Sequence, residues 1–325
     1  MVKAIVVREH GGADVLRWED VEIAAPGPGE ARVRHEAVGL NFVDVYNRTG
    51  LYKPPQGLPF TPGSEGAGVV VAIGSGVTNV KPGDRVSYYG PQGSYAEERN
   101  IAADRLVAVP DGIDFRTAAA MTLKGLTAQF LLRQTFRVEK GHTILFHAAA
   151  GGVGSIACQW ANHLGATVIG TVGSEEKAKL AKAHGCHHVI NYRKENFAER
   201  VAAITGGKKC DVVYDSVGRD TFPGSLDCLK PLGMWVLFGQ SSGVIQNFDL
   251  NILAQKGSLF ATRPTLFVYA AKREKLEEMA AELMDVVKKG IVKIEVKQEF
   301  ALKDAAEAHR ALEGRKTTGA TVLIP

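Results

Sequence analysis

Along residues 1 to about 125, apolar positions come in short runs broken by turn clusters. Lys3–Val7, Ala31–Val38, Gly68–Ile73 and Asp104–Val109 read as strands. Pro26-Gly27-Pro28-Gly29, Lys81-Pro82-Gly83-Asp84 and Pro110-Asp111-Gly112 read as the turns between such runs. Many short strands with dense turns predict a barrel-like or rolled sheet. Asp114 then caps a predicted helix through Ala118-Ala119-Ala120.

From about residue 126 the rhythm changes. Strand patterns at Thr143–His147, Thr167–Val172, His188–Tyr192, Asp211–Asp215, Met234–Phe238 and Ser258–Thr262 alternate with helical ones at Val153–Leu164, Glu175–His184, Glu195–Thr205 and Phe222–Leu229. Gly165 and Gly185 stand where helices end. This alternation predicts a doubly wound parallel sheet. After about 265 come a charged amphipathic helix (Lys272–Lys289), a strand (Lys293–Phe300), a short helix (Lys303–Leu312) and a last strand (Thr321–Pro325). They do not extend the alternation and are expected to fold back onto the first domain. The fold class is α/β.

A length of 325 residues suits two domains. The 39 basic and 35 acidic residues are scattered and net to +4, which argues against a dedicated nucleic-acid surface. No run reaches the roughly 18 apolar residues of a membrane span. The charge-interrupted start Met1–Arg8 reads as a first strand rather than a signal peptide, so a cytoplasmic location is expected. Cys158, Cys186, Cys210 and Cys228 have no zinc-site spacing and read as buried free thiols.

The chemistry begins where the strand Thr143–His147 runs into Ala148-Ala149-Ala150-Gly151-Gly152-Val153-Gly154 and a helix follows at once. A pyrophosphate can sit on the free N–H groups of such a helix start. Gly151 and Gly152 let the backbone near the phosphates, and Gly154 lets helix pack on strand. Ala149 replaces the first glycine of the usual pattern. The next strand ends Val172-Gly173-Ser174 with no carboxylate at its tip, where a cofactor with a bare ribose would usually find one. Ser174 and Lys177 offer a hydroxyl and an ammonium to a 2′-phosphate instead, which points to NADPH. Glu175 and Glu176 read as first-turn residues facing solvent.

Further segments carry a resemblance: Gly39-Leu40-Asn41-Phe42-Val43-Asp44-Val45-Tyr46, Arg48-Thr49-Gly50-Leu51-Tyr52, Gly63-Ser64-Glu65-Gly66-Ala67-Gly68, Lys81–Val86, Lys124-Gly125-Leu126-Thr127 and Tyr214-Asp215-Ser216-Val217-Gly218. With the glycine turn, they resemble the zinc-free quinone oxidoreductases related to zeta-crystallin, in the medium-chain dehydrogenase/reductase superfamily. The resemblance spans essentially the whole chain. It implies a GroES-like, β-rich catalytic domain over residues 1–125, completed by 266–325, and a Rossmann NADPH-binding domain over 126–265. It implies that Asn41, Tyr46, Tyr52 and Thr127 surround the nicotinamide end. Ser174, Lys177, Tyr192 and Arg315 would bind the 2′-phosphate and adenine end, and Ser216, Phe238, Gly239, Ser241 and Arg263 would line the rest of the groove. A homodimer is expected, through the edge strand near Ser258–Thr262.

Zinc-dependent relatives carry a Cys near Asn41–Asp44 and a His before the glutamate of the Gly63–Gly66 segment. Here Ser64 takes that place, and no Cys precedes Cys158. Too few ligands remain for Zn²⁺. Without a Lewis acid the suited reaction is hydride or electron transfer, in one- or two-electron steps, to an electron-poor acceptor such as a quinone, for which the protein mainly orients the nicotinamide. Two alternatives compete: reduction of the C=C bond of α,β-unsaturated carbonyls, and a non-enzymatic NADPH-binding role of crystallin or RNA-binding type.

Overall fold

In Glu30–Gly39 every second residue from Ala31 to Ala37 is buried, as a strand with one covered face requires. The computed structural model describes all 325 residues. The first half of the chain holds β1 (Val2–Val7), β2 (Leu16–Val21), β3 (Glu30–Gly39), α1 (Phe42–Arg48), β4 (Glu65–Ile73), β5 (Arg85–Tyr89), β6 (Glu98–Ala102), β7 (Val107–Ala108) and α2 (Phe115–Phe130). The next stretch carries β8 (Thr143–Phe146), α3 (Gly152–His163), β9 (Thr167–Val172), α4 (Glu175–Ala183), β10 (His188–Asn191), α5 (Phe197–Ile204), β11 (Cys210–Asp215), β12 (Leu229–Leu237) and β13 (Phe260–Thr262). The last carries α6 (Arg273–Lys288), β14 (Val296–Ala301), α7 (Ala305–Glu313) and β15 (Ala320–Ile324).

These elements form two units: Met1–Leu126 with Lys272–Met284 and Ile294–Pro325, and Thr127–Ala271 with Asp285–Lys293. In the first, the sheet order is β14-β15-β3-β4-β5-β7, and β6 also pairs with β3. All its pairs are antiparallel except β14–β15. A separate ribbon of β1 and β2 bridges to Ala96 and Phe60. The C-terminal strand joins this sheet through Val322 opposite Gly39. His35 occupies a core position of β3 because both ring nitrogens are used: Nδ1–H donates to Ala96 O at 2.6 Å and Nε2 accepts from the Tyr88 hydroxyl at 2.7 Å. Burial brings its pKa down to about 4, so the ring is neutral.

The second unit is a six-stranded parallel sheet of order β10-β9-β8-β11-β12-β13. Numbered within the unit that is 3-2-1-4-5-6, the order of a dinucleotide-binding fold. Leu145, Ile169, Ile190 and Val213 are wholly buried at its centre, each contributing about 1.5–3 kcal/mol of apolar burial. Gly165 and Gly185 end α3 and α4 at φ 85° and 89°. The predicted helix over Phe222–Leu229 reduces to one turn, Gly224–Asp227, because β12 claims the chain from Leu229. No helix is long and apolar enough to cross a membrane.

One buried polar chain fixes the first unit. Arg48, 1% exposed, donates from Nε to Gly11 O, and from both Nη atoms to Glu313 at 2.9 and 2.8 Å. Its Nη1 also donates to His309 Nδ1 at 3.2 Å. A guanidinium only donates, so Nδ1 is the acceptor and His309 carries its proton on Nε2. That proton goes to the Tyr95 oxygen at 3.0 Å, and Tyr95 donates to Asp44 Oδ2 at 3.2 Å. Burial and the Arg48 charge bring the His309 pKa down to about 3. Arg48→Ala should lower the unfolding free energy by about 3 kcal/mol, because its partners lose their only cation. The expected reading is a lower urea midpoint with an unchanged slope; a midpoint within error of the parent would refute the role.

Candidate active site

In the second unit, the tips of the parallel strands carry the residues expected to hold a dinucleotide. After β8 the chain turns through Ala148, at φ 55°, and Gly151 precedes α3 without a side-chain cap. The first N–H groups of α3 are therefore presented at its N-terminus. Gly154 is buried against the turn: a Cβ there would lie 2.4 Å from Ala148 O. Ala149 in the first glycine position is accommodated from the neighbouring strand. A Cβ on Gly170 would lie 2.6 Å from the Ala149 Cβ, so Gly170 supplies the room that the turn itself gave up. Gly151, Gly152 and Val153 are half-buried at this mouth.

At the tip of β9, Ser174 caps α4 by accepting from Lys177 N at 3.2 Å, which leaves its hydroxyl hydrogen to donate. Lys177 is half-buried. Tyr192 closes over the same place, since a Cβ on Gly173 would lie 2.5 Å from the Tyr192 hydroxyl. Gly173, Ser174, Lys177 and Tyr192 thus cluster. Glu175 does not face solvent alone: it accepts from Asn191 Nδ2 at 2.8 Å and pairs with Lys194 at 2.9 Å. At the tips of β11 and β12, Ser241 N donates to Ser216 O at 3.1 Å, and a Cβ on Gly239 would lie 2.7 Å from the same oxygen. Phe238 N donates to Asp215 O, and its ring packs on Phe146 at 5.7 Å. Ser216, Phe238, Gly239 and Ser241 therefore form a second cluster. Arg263 follows β13 and is exposed. Thr127, buried on α2, also belongs to this unit.

Asp215 is the residue beneath these tips, and the sequence patterns do not reveal its role. It is wholly buried, yet its oxygens accept from Val217 N, Gly218 N, Thr221, Ser225 and Trp235 Nε1 at 2.8–3.2 Å. Burial alone would raise its pKa; the Ser225 and Thr221 hydroxyls and the Val217 N–H outweigh it and hold the carboxyl low. Ser225 spends its proton on Asp215, so its oxygen must accept from His147 Nε2 at 3.1 Å. His147 Nδ1 then accepts from Thr171 at 2.9 Å. This chain runs from the end of β9 through β8 to β11 and ties down both strands flanking the glycine turn.

In the first unit, Asn41 caps α1, and Tyr46 and Tyr52 follow on the helix and the turn beyond it. Their rings pack edge to face at 5.1 Å, and Tyr52 N donates to Tyr46 O. The Asn41 backbone N–H donates to Asp44 Oδ2 at 2.9 Å. Its side-chain Nδ2 donates to Gly39 O at 3.3 Å and Glu65 Oε2 at 2.9 Å. Glu65 is wholly buried in β4 and also accepts from Leu123 N at 2.7 Å and Lys124 Nζ at 2.9 Å. The structure thus adds Glu65 and Lys124 to the set. A charged residue opening the otherwise apolar strand β4 was the available signal. Arg315 lies past α7 in this unit, exposed at φ 57°.

This arrangement has close counterparts. Residues 27–111 match the alcohol dehydrogenase GroES-like domain, and residues 152–285 match the zinc-binding dehydrogenase family. The chain is 56% identical to the quinone oxidoreductase of Pseudomonas aeruginosa, covering 100% of each. It is 47% identical to a 2-haloacrylate reductase of a Burkholderia species, covering 100% of this chain and 99% of that one. Its structure is similar to that of Escherichia coli quinone oxidoreductase complexed with NADPH, with a TM-score of 0.98 and 49% identity over 99% of this chain and 100% of that one.

The carboxylate next to Asn41 makes a test of this corner. Asp44 Oδ1 meets no donor, and burial pushes the carboxyl from 3.8 up to about 7. Between those values the folded chain holds a proton that the unfolded chain has released. The Asp44 contribution to stability therefore falls as pH rises from about 4 to about 7, and the penalty is complete above that. In urea unfolding, an Asp44→Asn variant should gain on the parent by about 2.5 kcal/mol between pH 5 and pH 8. A constant difference across that range would refute the assignment.

Proposed function

The chain belongs to the quinone oxidoreductase family of the medium-chain dehydrogenase/reductase superfamily, and we propose that it reduces quinones with NADPH and without a metal. The observation that carries the cofactor is the strand tip Gly173-Ser174 with Lys177 and Tyr192 gathered round it and the adjoining carboxylate, Glu175, bonded elsewhere. The uncapped start of α3 and the glycine turn fit a pyrophosphate. We assign Gly151, Gly152, Val153 and Gly154 to it, Gly173, Ser174, Lys177, Tyr192 and Arg315 to the 2′-phosphate and adenine end, and Ser216, Phe238, Gly239, Ser241 and Arg263 to the groove. Asn41, Tyr46, Tyr52 and Thr127 take the nicotinamide end. In this assignment residues 1–125 with 266–325 are the catalytic domain, and residues 126–265 bind the cofactor.

NADPH, when bound, supplies the hydride; the chain has to orient it, exclude water and place a hydrogen bond on the acceptor. Asn41 serves orientation, since both its main chain and its amide are held. A phenol of the Tyr46–Tyr52 pair donates to the acceptor oxygen, and the proton that completes the hydroquinone comes from water. The metal-free reading rests on the donors round Glu65. The Lys124 ammonium takes the place opposite this carboxylate that a cation would need, and Ser64 offers no ligand nitrogen. Four buried free thiols suit a reducing compartment such as the cytoplasm. A homodimer along β13 is supported by the exposed Phe260 on that edge strand.

Similarity to a 2-haloacrylate reductase favours electron-poor C=C bonds as the second acceptor class. A panel of quinones and enones with the purified protein separates the two: NADPH oxidation is expected with quinones, and turnover of enones alone would overturn the first reading. Lys177→Ala should weaken NADPH about tenfold while changing NADH less than twofold, because only NADPH carries the 2′-phosphate. Equal losses in a fluorescence titration would remove Lys177 from the phosphate site.

A further inference from the structure

Glu175 follows Ser174 directly and opens α4. A carboxylate free to swing here would oppose a 2′-phosphate, a group carrying about −1.5 to −2 charges at neutral pH. The chain restrains it with two different partners. Asn191 ends the edge strand β10 and is buried, and its Nδ2 donates to Glu175 Oε1 at 2.8 Å. The Asn191 Oδ1 accepts from Arg193 N at 3.2 Å, so the amide can turn only its nitrogen towards Glu175. The main chain then folds over itself, with Lys194 N and Glu195 N both donating to Asn191 O, and this return brings Lys194 Nζ to 2.9 Å from the same carboxylate oxygen. Tyr192, the next residue after Asn191, sets its hydroxyl over Gly173. Glu175 is thus tied to the last residue of β10 and to the turn beyond it, through Asn191 and Lys194, while the Tyr192 hydroxyl between them in sequence goes to Gly173. The two bonds also hold the carboxyl of Glu175 below its usual range, Lys194 more than Asn191.

We propose that Asn191 and Lys194 are specificity-determining residues: they hold the Glu175 carboxylate away from Ser174 and Tyr192 and so keep the 2′-phosphate end open to NADPH. The inference rests on the reading that Ser174, Lys177 and Tyr192 receive that phosphate. The sequence carries an acidic residue close to where an NADH-binding chain has one, and the structure makes it harmless by position. The Glu175–Lys194 pair is exposed on both sides and contributes little by itself. The buried, singly oriented amide of Asn191 is the rigid half of the restraint.

The test measures dissociation constants of NADPH and NADH by fluorescence titration for the parent, Asn191→Ala/Lys194→Met, and the same pair combined with Glu175→Gln. The double substitution should weaken NADPH roughly fivefold and NADH less than twofold, since only the phosphate feels the released charge. Adding Glu175→Gln should return NADPH to within about twofold of the parent, because a neutral side chain needs no restraint. The NADH constant reports whether the double variant is folded. If it is not, Lys194→Glu, a surface change that pushes Glu175 off its seat and leaves Asn191 intact, should show the same selective loss. A parent that binds NADH as tightly as NADPH would sink the phosphate-end reading and this proposal with it. A parent preference that survives the double substitution, or that Glu175→Gln fails to restore, would sink the proposal alone.

Discussion

A carboxylate taken out of water has to gather donors or hold on to its proton, and three such groups organise this chain: Asp44, Glu65 and Asp215. Each unpaired buried charge would cost several kcal/mol. The surrounding chain is therefore arranged so that main-chain amides, hydroxyls, an indole and an ammonium converge on them. The donors come from far apart in sequence. Glu65 on β4 gathers Asn41 from the end of β3 and Leu123 and Lys124 from α2. Asp215 gathers the loop after β11, the turn at Gly224–Asp227 and β12. Satisfying the charge and closing the fold are one event in each unit.

Two of the three hubs are fed by a neutral histidine whose tautomer follows from its neighbours. Arg48 can only donate, which puts the His309 proton on Nε2. Ser225 has one proton and gives it to Asp215, which puts the His147 proton on Nε2 as well. Both chains are directional, ending on a carboxylate that sits at the base of candidate site residues: Asn41 in one unit, the strand tips of β11 and β12 in the other. Rigid tips suit a site whose task is to orient a cofactor. Burial lowers the pKa of both rings, so neither carries charge near neutrality. They act as fixed dipoles that hand a donor to the next group.

How far the chain reads from its residues depends on the range of the interaction. The strands β8 to β11 and the helices α3 and α4 are visible because apolar runs, caps and end glycines lie within a few residues of one another. β2 and β6 are not, since Leu16-Arg17-Trp18-Glu19-Asp20-Val21 and Glu98-Arg99-Asn100-Ile101-Ala102 are polar segments that become strands only by pairing with β1 and β3. Helix α1 is seven residues and hides for the same reason. At the candidate site, the glycine turn and the carboxylate-free strand tip are local patterns. The Glu65–Lys124 pair spans 59 positions, and the link from Arg48 to Glu313 spans 265. No periodicity joins residues so far apart.

The imperfect glycine turn shows how such distant compensation works. With Ala149 in the first position, the motif alone suggests a weakened dinucleotide site. What the site needs, though, is free space between the β8 turn and β9, and either side can provide it. Gly170 does so on β9, where any side chain would run into the Ala149 Cβ. Gly39 has the same standing in the other unit: a Cβ there would lie 2.3 Å from both Glu65 Oε2 and Ala119 O, so the seat that joins Asn41 to Glu65 exists because β3 ends in a residue without one. A steric condition belongs to a place in the fold, and a motif records it only when the residue meeting it happens to lie within the motif.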